Sequence, residues 1–170
     1  MNSNIFILDS NFFIEAHRRN YPFDIFPIFW KNIAEMAKKK KIISIDKVRN
    51  EIYWGNSEKE QDILTLWCKN NLPDSFFAKS EESIFEYNKV IKWAVSKSNF
   101  YKTSAINEFL ENEVADAWLI SYAIKHNCCI VTHEVSSTSK KKIKIPDVCN
   151  DFDIEHINTI ELLRQLNLTF

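Results

Sequence analysis

Four acidic residues stand where a parallel α/β chain places its chemistry. Asp9 directly follows the apolar run Ile5-Phe6-Ile7-Leu8. Glu51 lies three residues after Val48, on a segment that follows a second apolar run, Ile42-Ile43-Ser44-Ile45. Asp116 precedes Leu119, Ile120 and Ala123 at helical spacing, which puts it on an apolar helix face. Thr132 and Glu134 close a further apolar run and fall on one side of an extended segment. In parallel sheets, sites form just beyond the carboxyl ends of strands. A carboxylate among apolar neighbours needs a partner or a metal. Carboxylates brought together repel one another, and hard oxygen donors select Mg2+ or Mn2+. Such a site can activate water and stabilise both oxygens of an in-line displacement at phosphorus. Lys140, Lys141 and Lys142 could then seat a phosphate backbone.

Each of these residues also has a structural role open to it. Asp9, Ser10 and Asn11 all suit a helix N-cap. Glu51 has Lys47 and Arg49 nearby for a surface ion pair. The helix macrodipole favours acids in a first turn, which accounts for Glu113 better than for Asp116. His133 reads as a loop histidine rather than a catalytic base. Asp147, after Pro146, is a further acid near the same rim, with capping of a short helix as its alternative. A zinc site from His126, Cys128, Cys129, His133 and Cys149 is disfavoured, because adjacent cysteines in a strand face opposite sides.

Strands alternating with helices must position these groups. Strands are expected at Ile5–Leu8, Ile42–Ile45, Phe76–Ala78, Cys128–Thr132 and Ile154–Ile157. Helices are expected from Phe12 to Arg18, from Pro27 to the lysine run at Lys38–Lys41, and from Asp46 through Ile52. Others follow at Ser57–Lys69, Glu81–Ser96, Ser104–Leu110, Val114–His126 and Thr159–Leu168. Lys144-Ile145 leads into a proline turn at Pro146. This alternation predicts an α/β fold with helices covering a parallel sheet.

Composition narrows the chemistry. The chain has 170 residues and is 45% hydrophobic, which favours one domain over residues 1–170 with a sizeable core. It contains a single glycine, Gly55, so Gly-rich phosphate loops and dinucleotide fingerprints are excluded. Any phosphate chemistry must run through side chains or metals. Net charge is −1, from 22 basic and 23 acidic residues, and gives no global pull toward nucleic acid. No secretory signal and no membrane-length apolar stretch is evident, so the four cysteines read as reduced thiols of a cytoplasmic protein.

The order strand–Asp9, helix–Glu51, buried-helix Asp116 and strand–Thr132-x-Glu134 resembles the acidic quartet of PIN-domain ribonucleases. Several longer strings are similar to a bacterial PIN-like family known as a domain of unknown function. They are Leu8-Asp9-Ser10-Asn11-Phe12-Phe13-Ile14-Glu15-Ala16, Ser44-Ile45-Asp46-Lys47-Val48, Ala115-Asp116-Ala117-Trp118-Leu119-Ile120, Val131-Thr132-His133-Glu134 and Lys142-Ile143-Lys144-Ile145-Pro146-Asp147-Val148-Cys149. The resemblance covers nearly the whole chain.

It implies a three-layer α/β/α fold with a short central, mostly parallel sheet, and Mg2+- or Mn2+-dependent endoribonuclease activity on RNA. Many relatives are VapC-type toxins, which often form homodimers and are silenced by an antitoxin encoded beside them. Asp9, Glu51 and Asp116 take the positions of three metal-site acids, with Asn11 and Thr132 as substrate contacts. The fourth acid departs from the usual Asp, leaving Glu134 or Asp147 to fill it, and the three-lysine loop is not a general family feature. The alternative is a non-catalytic module of the same fold that binds RNA or a partner protein, with Trp30, Trp54 and Trp93 for contacts. An aspartyl-phosphate enzyme is ranked below both, because Asn11 stands where a second Asp is wanted.

Overall fold

Runs of apolar residues without polar alternation suit strands covered on both faces, and such runs form the centre of the sheet. The computed structural model describes residues 5–54 and 62–169. Its strands are β1 (Phe6–Leu8), β2 (Ile42–Ile45), β3 (Phe77–Ala78), β4 (Cys129–Val131) and β5 (His156–Ile157). They pair in the order β3-β2-β1-β4-β5, all parallel. The fold is therefore the expected α/β type with helices flanking the sheet, and wholly rather than mostly parallel.

The strand order reverses between β1 and β4. That is the topological switch point, where the chain leaves a crevice beyond the carboxyl ends of two neighbouring strands. Leu8 pairs with Val131 across this point. Asp9 and Thr132, one residue beyond each, are thereby brought side by side although 123 positions separate them.

Among the described residues the helices are α1 (Ser10–Glu15), α2 (Pro27–Lys38), α3 (Asp46–Trp54), α4 (Ile63–Asn71), α5 (Ile84–Ser96), α6 (Thr103–Phe109), α7 (Ala115–His126), α8 (Ile145–Phe152) and α9 (Thr159–Gln165). A π-helical turn, Ala16–Asn20, extends α1. The start of the expected Ser57–Lys69 helix lies outside the described residues. Where a proline turn was expected, α8 forms instead. Pro146 lies in its first turn, where a missing N–H costs nothing. Helix α7 is buried along nearly its whole length and packs against α3, α5 and α8. With almost no glycine available, Asn127 closes α7 and Asp153 closes α8 in the left-handed conformation; short polar side chains bear that geometry best after glycine.

An aromatic block fills the core beside β1 and β2. Trp30 is buried rather than exposed. Its ring stacks on Phe23 at 4.3 Å, meets Trp67 at 4.7 Å, and its indole N–H donates to the Tyr21 carbonyl at 2.7 Å. Trp30→Ala empties this space and is expected to cost about 3–5 kcal/mol of stability. Urea denaturation measures it; a loss below about 1 kcal/mol would mean the block collapses onto the gap.

Candidate active site

Asp9 sits at the N-cap position of α1 but does not cap it: its side chain makes no capping hydrogen bond. The carboxylate turns across the switch point instead. Thr132 Oγ1 donates to Asp9 Oδ2 at 3.0 Å, and Ser10 Oγ approaches Oδ1 at 3.4 Å. Thr132 Oγ1 in turn accepts from the Glu134 N–H at 3.1 Å, so its hydroxyl proton is directed at Asp9. Asp9 is 1% exposed. Burial raises its pKa to about 6; the Thr132 hydrogen bond works against this, and the charges of Glu51 and Glu134 add to it.

Asp116 lies in the first turn of α7 and, unlike Asp9, accepts no hydrogen bond from the described residues. Burial holds its pKa well above the ordinary carboxylate value, reinforced by the charges of Asp9, Glu134 and Glu51 and opposed by Lys142. Burial is the largest cause at both acids, and neighbouring carboxylates add to it.

Glu51, on α3, is partly engaged. Its Oε1 accepts the Ala115 N–H at 2.9 Å, at the start of α7, where no side chain of α7 provides a cap. A carboxylate suits the positive end of a helix dipole. Glu134 is engaged more fully. Its Oε1 lies 3.1 Å from Lys144 Nζ and 3.6 Å from Lys142 Nζ, and its Oε2 accepts the Ile145 N–H at 2.8 Å, at the start of α8. In place of the free metal-ligand acid expected at this position, both oxygens are in use.

A cavity of about 230 Å³ lies beside these groups, although Asp9 and Thr132 do not line it. Asn11, Glu51, Asp116, Glu134 and Lys142 line it, together with Ser10, which the sequence offered as a helix cap, and Glu108, which it did not single out. Ser10 was legible as the residue after Asp9. Glu108 had no signal, because only the fold of α6 brings it to the rim.

The remaining expected residues lie elsewhere. Asp147 accepts the Ser137 N–H at 3.2 Å and lines a separate cavity with Trp93 and Tyr101, so it is not the fourth acid of this pocket. It projects from α8 toward the loop instead. Lys140 reaches over the Phe100 ring at 5.7 Å, and the Lys141 amide bonds Ser139; neither lines the cavity. His133 pairs with Thr159 at 3.0 Å, and burial lowers its pKa. The four cysteines are free and buried, and burial pushes Cys68, Cys129 and Cys149 up to about 12.

The donor set suits a hard divalent cation: carboxylates, a hydroxyl-oriented Asp9 and an Asp116 without a hydrogen-bond donor. Among the described residues, however, no three His, Cys, Asp or Glu side chains already surround one point. A small set of carboxylate donors suits an ion that keeps part of its water shell, as Mg2+ does.

Thr132→Val removes the hydroxyl that, among the described residues, alone donates to Asp9 Oδ2. Hydrogen bonds to charged groups contribute about 1.5–3 kcal/mol. The Asp9 midpoint is therefore expected to rise by about one pH unit or more above that of the wild type. Carboxyl carbon NMR titration reads it directly, and an unchanged or lower midpoint would remove Thr132 from this role.

The sheet is all parallel, and acids gather at its switch point. The chain belongs to the family described as domain of unknown function (DUF4411), whose model matches residues 6–170. Its fold is similar to that of VapBC2 from Rickettsia felis, solved bound to a DNA fragment from the promoter. That likeness has a TM-score of 0.55 at 16% identity, over 91% of this chain and 98% of the other. No curated protein matches the sequence. Among the described residues no helix is long and apolar enough to cross a membrane.

Proposed function

We propose that the protein is a Mg2+- or Mn2+-dependent endoribonuclease, the toxin of a toxin–antitoxin module with a cognate antitoxin protein as its partner. The observation that carries this reading is the pair Asp9 and Asp116. Burial raises the pKa of both; Glu51 and Glu134 add to it at Asp9, and Asp9, Glu134 and Glu51 add to it at Asp116, so they belong to one acid cluster at the switch point of the sheet. The fold likeness to VapBC2 supports the toxin–antitoxin setting.

Asp9 and Asp116 would hold the cation, with Glu51 beside them. When bound, such an ion supplies Lewis acidity toward a phosphoryl oxygen and eases deprotonation of an attacking water. Thr132 fixes which face of Asp9 is presented, because its hydroxyl occupies Oδ2. Glu51 ties α3 to the first N–H of α7, the helix that carries Asp116. Lys142, on the cavity wall, offers a cation to a substrate phosphate, and Asn11 offers an amide at the rim.

Purified protein is expected to cleave RNA with Mn2+ or Mg2+ and to stop in excess EDTA. Its expression should arrest growth, and co-expression of the neighbouring open reading frame should relieve the arrest. RNA left intact under all divalent-ion conditions would sink the enzymatic reading.

The engagement of both Glu51 and Glu134 favours one alternative: a module of the same fold that binds RNA or protein without cutting. Trp54, 80% exposed on α3, would then be a contact residue. Titration calorimetry separates the two, since only the enzyme must bind a divalent ion.

A further inference from the structure

Glu51, Glu108, Asp116 and Glu134 line the cavity and Asp9 adjoins it, yet their charges are not equivalent. Glu134 faces two ammonium groups, Lys144 at 3.1 Å and Lys142 at 3.6 Å, and also receives a backbone N–H from Ile145. Its side chain is 8% exposed, so these partners replace water. Glu51 spends one oxygen on the Ala115 N–H. Among the described residues, no ammonium group is in contact with Asp9 or Asp116.

We propose that Lys142 and Lys144 hold Glu134 out of ion binding, so that the pocket takes one divalent cation rather than two. The lysines occupy the charge position that a second ion would fill. Two features of the chain make this arrangement self-consistent. Glu134 is locked at the first N–H of α8, and Lys144 is the residue that immediately precedes that helix. Lys142 lies on the cavity wall, 3.6 Å from the Glu134 carboxylate. A second dication would have to displace two ammonium groups from Glu134 and meet their repulsion. The inference rests on the metal reading above and specifies it: one ion, two aspartates, and a lysine in place of the second ion.

Isothermal titration calorimetry with Mn2+ alone at pH 7.5 tests it on the full chain. The wild type is expected to bind one Mn2+. Lys142→Met with Lys144→Met keeps the aliphatic stems while removing both charges, and is expected to admit a second Mn2+. Adding Glu134→Gln to that double variant should return the count to one. Circular dichroism checks the fold of each variant. Two ions in the wild type would overturn the inference while leaving the metal reading standing. A single ion in the folded double variant would also overturn it. If the double variant does not fold, the wild-type count decides alone. No binding at all would remove the metal reading, and this inference with it.

Discussion

Asp116→Asn is expected to lower the rate of RNA cleavage by on the order of a hundredfold or more while leaving the fold intact. Outer residues that merely orient metal ligands cost about 10–100-fold when changed. A residue proposed to hold the ion should reach the top of that range. The amide is nearly isosteric, and Asp116 accepts no hydrogen bond from the described residues, so no native contact of its carboxylate is lost. Neutralising it also relieves repulsion with Asp9, Glu134 and Glu51. The variant should therefore melt at or above the wild-type temperature without metal. Asp9→Asn should lose activity to a similar degree, and the two changes together should cost little more than either alone, because they disable one site. Cleavage within tenfold of wild type in a folded, contaminant-free Asp116→Asn preparation would exclude Asp116 from the chemistry.

The second large effect is on stability. Asp9 titrates at about 6 in the folded chain, against an ordinary value of 3.8. The proton thus binds more tightly in the folded state. Its contribution is fully present below about pH 4 and is lost as pH rises through 6. The difference corresponds to on the order of 3 kcal/mol, and Asp116 adds in the same direction. Urea denaturation in EDTA between pH 4.5 and 8 should show wild-type stability falling relative to Asp9→Asn over that interval. Mn2+ at pH 7.5 should restore much of the loss, because a ligand that binds only the folded chain stabilises it. Parallel pH curves for the two proteins would show that Asp9 is not held at raised pKa.

How much of this was legible depended on whether a residue sat in a periodic element. Asp9 was legible as an acid ending a buried strand, and Asp116 as an acid on an apolar helix face. The central strands were legible because Ile7, Ile42 and Ile130 belong to runs with no polar alternation. What stayed hidden was set by loops. The segment from Glu134 to Lys144 has no period, and it folds back so that Lys142 and Lys144 meet Glu134. The same loop turns Asp147 toward Ser137 and another cavity. Local propensity also misled where a distant partner intervened. Asp9 has every reason to cap α1, but Thr132 takes its carboxylate. Trp30 looked available for a partner, yet aromatic packing absorbs it.

The pairing of Leu8 with Val131 bears on how such a protein is made. A ribosome adds about 5–20 residues each second, and early segments emerge long before later ones. Asp9 emerges with the first strand, but its neighbour at the switch point comes only when residue 132 has been synthesised and has cleared the exit tunnel. Until then β1 has no β4 beside it, and Asp9 has neither Thr132 nor Asp116 in place. A nascent chain of this topology cannot assemble the acid cluster while most of its length is still being translated.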